Sequence, residues 1–596
     1  MPRASIEAVD DPGSLEELQR RLAAIVKAEK TPGAVVALVD RDGPIWVGGV
    51  GVRDVDSKKP MQPDTVFRVG SVSKSLVALG VMRLHDQGKL DIDAPLRELL
   101  PGTFENPWES EAPVTLAQCL EHTAGFDDIR FNEIFTDDEW LPVPEALALN
   151  PRSRVVRWRP GTRHGYSNVG YALAGRAIEA ASGEPFDVYL RREILAPMGI
   201  RDADFGRTPS IEARLATGYQ DGNAQTFHVF AHRPSASLLV SAVDLAKLVH
   251  FWIRRGDGFP PIISPEGLAR IERSGTLPYP HIDNEYGLAN YTDVSHPTMS
   301  HGHDGGMPGF HASYRYFSDL GVGYVMLLNG NYTFQGYRKI RALLYAYLTR
   351  GRTASPPTRN LRERPDADYY QLANPRNQIS GFIERSLEGW SFREAPFGLY
   401  GKTIGGEEFE LHSMPDGSYR FRGDCGSAVR FTKNIDGTPI VIMSFAYGEA
   451  RTYWLARVRF LAIDLTMLFM MVAPLWAAAV LLASWLGKSR VLPHSLVFPP
   501  AITGLTFFAV PRLLEAAFDA GVIGIVHPLT VGAFAMTILF AVSSIASLAY
   551  AVRWIVHPQR PHAFALALPL VFGTSFVAFT LWMFANGWVG LRTWAY

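Results

Sequence analysis

The 596-residue sequence predicts an α+β domain, then a small β-domain, then a C-terminal bundle of about four membrane-spanning helices. Three observations predict it. Helix-like and strand-like segments are mixed up to about Arg350. Short strand-like runs separated by turns fill 378–458. After Phe460 charge thins abruptly, and apolar runs of roughly the 20 residues a bilayer span needs take over.

Composition narrows the function class. A hydrophobic content of 47% with 20% charged residues excludes a disordered chain. Lys and Arg number 58 against 59 Asp and Glu, so no bulk basic field exists to hold nucleic acid. Two cysteines, Cys119 and Cys425, exclude a disulfide-dense scaffold and a Cys-built zinc finger. The mean hydropathy of +0.02 is therefore an average over unlike parts.

Residues 1–14 are expected to be disordered. Ser14 then caps a helix, LEELQRRLAAIVKAEK, with Glu17 placed to complete an S-x-x-E capping box. GAVVALVD (Gly33–Asp40) and Ile45–Val52 read as a hairpin across Arg41-Asp42-Gly43. The α+β domain is expected over 15–350. The charged, Pro-containing stretch 351–377 reads as a linker and 378–458 as the β-domain. Asp416-Gly417 and Asp436-Gly437 sit where hairpin turns belong.

The membrane domain is expected over 460–596. Its spans are Leu461–Leu486, a weaker one near 496–518 broken by Pro499, Pro500, Pro511, Arg512 and Glu515, then 529–552 and 563–586. With four spans, Lys488 and Arg490 fall on the same side as Arg553 and Arg560, which places that side in the cytoplasm. Residues 1–460 are then outside, giving a multi-pass inner-membrane protein with a periplasmic catalytic domain. Arg457 and Arg459 count against that placement, and so does an N-terminal stretch without the apolar core of a secretory signal. Asp464 lies near the end of span one, where it can reach the interface.

The sharpest local pattern is Ser71-Val72-Ser73-Lys74, followed by a run with helical apolar spacing. Ser71 falls near a helix start with Lys74 one turn on, on the same face. A serine becomes a nucleophile when a neighbouring base takes its proton. The same pattern also suits a capping serine and a surface lysine. Two further elements lie downstream: Tyr166-Ser167-Asn168, before another helix-like run, and His303-Asp304-Gly305-Gly306, followed by strand-like sequence. His301 and His303 form H-x-H, but no Cys or carboxylate set stands at metal spacing, so neither metal nor cofactor is expected. His122 reads as a packed loop residue.

S-x-x-K, Y-x-N and H-x-G in this order resemble the serine β-lactamase and penicillin-binding-protein superfamily. The His variant resembles its class C-like, peptidase S12 branch. FRVGSVSKS, CLEHTAGF (Cys119–Phe126) and SLLVSAVDLAKL (Ser237–Leu248) extend the likeness over roughly 15–350. The resemblance implies an antiparallel sheet with flanking helices. It implies Ser71 as nucleophile, with Lys74 and Tyr166 sharing proton transfer. It implies Asn168, His303, Asp304 and Gly305 at the substrate, and the N–H groups of Ser71 and Gly306 as oxyanion hole. Relatives that bind β-lactams usually carry Thr or Ser at position 304. An acid there, with Asp127 and Asp128 near by, is expected to disfavour a substrate carboxylate; the alternative is that Asp304 points away and contacts solvent or an Arg.

The expected function is a membrane-anchored serine hydrolase cleaving an amide or ester of a small-molecule or peptide-like substrate. The layout resembles prodrug-activating peptidases that remove an N-acyl-D-amino-acid cap. A D,D-peptidase, a β-lactamase and an esterase are the alternatives within the superfamily. A non-catalytic membrane sensor or scaffold is the alternative outside it. The expected partners are the substrate and the lipid bilayer.

Overall fold

The computed structural model describes residues 9–330, 334–352, 365–487, 492–557 and 563–596. The first part of the disordered start expected at 1–14 lies outside the described residues. So do residues 353–364 of the expected linker and the loop residues Lys488, Arg490 and Arg560.

The chain forms two compact units, and the first holds both the α+β domain and the β-domain. Helix α1 (Leu15–Ala28) begins at Ser14, whose hydroxyl accepts from the Glu17 N–H. The Glu17 carboxylate turns to Arg20 and Arg21 instead of closing the capping box. Strands β1 (Gly33–Asp40), β2 (Gly43–Asp54) and β3 (Lys59–Pro60) open a seven-stranded sheet. It is completed by β4 (Tyr291–Asp293), β5 (Ser300–Met307), β6 (Phe310–Phe317) and β7 (Val322–Leu328). The order is β4-β5-β6-β7-β1-β2-β3, antiparallel throughout.

Both faces of the sheet are covered, which is why β1 reads as one apolar run rather than an alternation. Leu18, Leu22 and Val26 of α1, with Ile340 and Leu344 of α6 (Phe334–Leu348), pack on one face. Each such side chain removed from water contributes about 1.5–3 kcal/mol. The other face carries α2 (Ser73–Asp86) and α5 (Ala242–Arg254); α3 (Leu116–Leu120) and α4 (Asn168–Ser182) lie between them in sequence. Tyr314 of β6 donates to Ser75 of α2 at 2.9 Å, and Tyr316 stacks on Trp252 of α5.

The β-domain is a closed eight-stranded antiparallel barrel. Its strands are β8 (Tyr369–Leu372), β9 (Gly389–Ala395), β10 (Gly398–Thr403), β11 (Glu408–Ser413), β12 (Tyr419–Phe421), β13 (Val429–Lys433), β14 (Pro439–Met443) and β15 (Ala446–Ala450). Tyr370, Trp390, Leu399, Leu411, Val429 and Val441 fill it. Gly417 and Gly437 take φ of +89° and +82° in the two expected turns. The barrel starts at 369 and ends at 450, so the expected 378–458 is displaced. The supposed linker residues 369–372 pair with both β9 and β15 and close the barrel.

The second unit comprises Arg130–Phe135, Ile379–Leu387 and Thr452–Tyr596. Four of its helices are long and apolar enough to cross a membrane: α7 (Tyr453–Trp485), α8 (His494–Asp519), α9 (Pro528–Ile555) and α10 (Ala563–Ala585). The first begins at Tyr453, ahead of the expected 460, and carries Arg457 and Arg459 inside it. Pro499, Pro500 and Pro511 do not interrupt α8. Hydroxyls make contacts within and between helices: Thr503 Oγ1 lies 3.0 Å from the Pro499 carbonyl oxygen and 2.9 Å from Ser543 Oγ. Phe540, Phe572, Phe576 and Phe579 form the unit's core, while residues such as Leu475 and Leu505 face outward.

Candidate active site

Ser71 sits in a 3₁₀ turn, Gly70–Val72, that runs straight into α2. Gly70 has φ +52°, and a Cβ there would stand 2.6 Å from the Gly306 carbonyl oxygen. Only glycine lets the turn approach β5 this closely. Ser73 Oγ donates to the Gly70 carbonyl at 2.6 Å and accepts from Leu238 N at 3.0 Å, which pins the turn. Lys74 follows in the first turn of α2, and its side chain is fully buried.

Lys74 Nζ lies 3.0 Å from Ser71 Oγ, 2.7 Å from Asn168 Oδ1 and 2.8 Å from the Ser235 carbonyl oxygen. Two of those partners only accept, so they take two N–H bonds. The third contact leaves the nitrogen lone pair free to receive the serine proton when the amine is neutral. Burial drives the Lys74 pKa well below that of an ordinary lysine. The buried Asp128 carboxylate pulls it back up, and the Arg376 guanidinium pushes it down.

Tyr166 donates its hydroxyl to Ser71 Oγ at 2.8 Å. Burial pushes its pKa up to about 12, so it is a phenol and not a phenolate at neutral pH. Asn168 opens α4 behind the cap Ser167, and its amide spans Lys74 and the Asp128 carboxylate, 3.0 Å from Nδ2. Sequence spacing thus brought Ser71, Lys74, Tyr166 and Asn168 to one point.

Strand β5 forms the opposite wall. A Cβ on Gly305 would lie 1.9 Å from Val69 O and 3.0 Å from Ser71 N, so strand and turn touch backbone to backbone. Gly306 is exposed beside it. His303 faces the same side, buried. Its Nδ1 donates to the Asp304 carbonyl at 2.5 Å, so Nε2 accepts from the Tyr286 hydroxyl at 2.7 Å. Burial pushes its pKa down to about 3, which makes it a neutral ring that holds Tyr286.

Asp304 takes the alternative placement, away from the substrate and against an Arg. Adjacent strand residues point to opposite faces, and His303 has taken the site's face. Asp304 pairs across the sheet with Ser313, which donates to it at 2.7 Å. It also binds Arg315 Nη2 at 2.9 Å and the Tyr291 hydroxyl. Against the upward push of burial, Arg315 holds its carboxyl below the usual range. Asp127 and Asp128 are likewise matched, to Arg157 at 3.1 Å and Arg376 at 2.7 Å. No unbalanced acid among these three faces a substrate carboxylate. Asp304→Asn should cost about 3 kcal/mol of stability, because it strands the fully buried Arg315 charge. Denaturant unfolding reads that cost. The same variant should leave unchanged the rate ratio between ester pairs differing by one carboxylate; a changed ratio would return Asp304 to the substrate.

Three site neighbours, Tyr286, the Ser235 carbonyl and Arg376, escaped sequence reasoning, while His122, expected as a packed loop residue, packs against the site. His122 is buried at φ +60°, with its ring 4.1 Å from that of Tyr166 and its Nδ1 accepting from Ser167 N at 3.1 Å. Its presence in the CLEHTAGF stretch was the available signal. Tyr286, the Ser235 carbonyl and Arg376 had none. Among the described residues no cluster of His, Cys, Asp and Glu is suited to a metal ion.

The chain is 28% identical over 241 residues to Esterase EstB from Burkholderia gladioli, covering 38% of this chain and 60% of that one. It is 26% identical over 330 residues to Penicillin-binding protein 4 from Amycolatopsis lactamdurans, covering 52% and 84%. It spans only 47% of the length of Protein flp from Staphylococcus aureus, at 24% identity. The crystal structure of SurE with D-Leu aligns with a TM-score of 0.51 at 21% identity, over 73% of this chain and 99% of that one, a likeness of fold. Residues 18–347, more than half of the sequence, match the family described as Beta-lactamase, and the chain belongs to that family.

Proposed function

We propose that the chain is a serine hydrolase that cleaves an amide or ester bond through an acyl-Ser71 intermediate. The observation that carries this is the Lys74 amine, desolvated and 3.0 Å from Ser71 Oγ with its other two contacts on fixed acceptors. As Ser71 Oγ attacks the carbonyl carbon, its proton passes to Lys74. The carbonyl oxygen gains the negative charge, for which the N–H groups of Ser71 and Gly306 are the proposed donors. Collapse expels the leaving amine or alcohol, which takes a proton through the Tyr166 hydroxyl while Lys74 resupplies it. Water then repeats the sequence on the acyl-enzyme and releases the acid.

Relatives named for ester hydrolysis and for penicillin binding support both classes of leaving group. Four helices apolar enough for a bilayer support a membrane anchor. With the catalytic unit outside the cytoplasm, a peptidase of the S12 type that removes an N-acyl-D-amino-acid cap is the specific form we favour.

The test is covalent. A fluorophosphonate probe should add one adduct per chain, and peptide mapping should place it on Ser71. No adduct, or one placed elsewhere, would overturn the assignment.

A further inference from the structure

Arg376 lies just past the first barrel strand, in a stretch sewn to the catalytic domain from both sides. Asn374 Nδ2 donates to the His164 carbonyl at 2.8 Å and to the Phe445 carbonyl at 2.7 Å. Arg163 donates to the Ala373 carbonyl at 3.1 Å, and Arg157 to the carbonyl of Arg376 itself at 2.9 Å. The Gln378 N–H donates to Asp127 at 2.9 Å. With the backbone fixed on each side, the Arg376 side chain reaches the catalytic cluster. Its Nε donates to Asp128 Oδ2 at 2.7 Å, and its guanidinium carbon lies 4.6 Å from the centre of the Tyr166 ring.

Asp128 is itself buried. Its Oδ1 accepts from Ile129 N at 2.8 Å, Asn168 N at 2.9 Å and Asn168 Nδ2 at 3.0 Å. Asn168 Oδ1 in turn accepts from Lys74. An unbroken chain of contacts therefore runs Arg376–Asp128–Asn168–Lys74, from the barrel to the base.

We propose that Arg376 is a positioning residue supplied by the barrel, which balances Asp128 so that Lys74 stands as a neutral amine beside Ser71. This rests on the serine-hydrolase reading above. A buried carboxylate one amide away from a lysine favours the ammonium, which has no lone pair for a proton. A guanidinium on that carboxylate cancels the pull and repels a second positive charge. The groups facing Lys74 from other elements do not replace it. The Tyr166 and Tyr171 rings lie 5.0 and 5.3 Å from Nζ, and burial holds both phenols protonated. His122 and His303 are kept neutral by burial. Among the described residues, Asp128 and Arg376 are the two charges that act on Lys74. The barrel is then part of the catalytic apparatus and not an appendage.

The sign follows. Removing the Arg376 charge raises the Lys74 pKa, and Ser71 reacts only when Lys74 is neutral. The acid limb of reactivity moves to higher pH. The readout is the rate of Ser71 modification by a fluorophosphonate against pH, using the full chain in detergent. Arg376→Gln should shift the acid limb up by about one pH unit, a tenfold loss on the limb that is regained at higher pH. Arg376→Lys keeps the charge and should hold the limb near its original place. An Arg376→Gln limb that does not move, or a loss by the same factor at every pH, would overturn the proposal and leave Arg376 as a structural tie. Labelling that persists in Ser71→Ala would overturn the hydrolase reading instead.

Discussion

Ser71→Ala is expected to abolish covalent labelling and to slow hydrolysis by on the order of 10⁵–10⁶-fold, the scale seen when a nucleophile acting as one unit with its base is lost. The change is chemically narrow. Ser71 stands in a turn fixed by Ser73, Gly70 and the backbone of β5, none of which needs the hydroxyl. Lys74 keeps Asn168 and the Ser235 carbonyl, while Tyr166 loses its acceptor. That orphaned hydroxyl should cost no more than about 1–3 kcal/mol, so the chain stays folded. A Ser71→Ala, Lys74→Met double variant should be no slower than Ser71→Ala, because the base has nothing left to activate. Steady-state hydrolysis of an activated ester checks the magnitude. Turnover that survives the alanine would place the chemistry elsewhere.

The parts of this site that the sequence disclosed share a physical property. Ser71 with Lys74, and Tyr166 with Asn168, are pairs a few residues apart at the start of a helix, where spacing fixes which side chains meet. The glycines of β5 belong to the same class, since a residue that no Cβ can replace marks a close approach. Asp304 stayed open between two placements for a different reason. A strand's alternation gives two opposite faces but does not say which one meets the nucleophile, and the choice of His303 over Asp304 rests on the packing of α2 and α6. Arg376 failed for a third reason. It meets Asp128 across 248 positions of sequence, and its neighbourhood, rich in charge and proline, reads as a connector. The barrel shows both limits together. Its Asp-Gly turns are local and were legible, whereas closure depends on β8, a four-residue strand. In the second unit length and apolarity sufficed to find the four apolar helices. The start of the first at Tyr453 was hidden by Arg457 and Arg459, whose long stems let charge sit within an otherwise apolar helix.

Replacing Lys74 separates two roles that a lysine next to a nucleophilic serine could play. As a proton acceptor it must shed its own proton, and burial with Arg376 near by favours that state. As a fixed cation it would stabilise negative charge and would need to keep the proton. Lys74→Met removes the amine from a buried site while filling most of its volume, and should slow acylation by about 10³–10⁴-fold, the upper range for general acid–base catalysis. Lys74→Arg preserves the charge but cannot give up its proton. It should be as slow as Lys74→Met if Lys74 is the base, and clearly faster if a cation is what the site requires. The pH dependence gives a second reading of the same question. The wild-type rate should rise with pH as Lys74 loses its proton, and in both variants that limb should vanish, leaving a rate nearly flat in pH until hydroxide or Tyr166 contributes. Burial pushes the Tyr166 pKa up to about 12, against the downward pull of Arg376 and of the Ser71 hydrogen bond, well beyond the limb assigned to Lys74, so the two groups cannot be confused. A limb that persists unchanged in Lys74→Met would transfer the base to another residue, and one that moves up toward the Tyr166 range would name that hydroxyl, which contacts Ser71 Oγ at 2.8 Å.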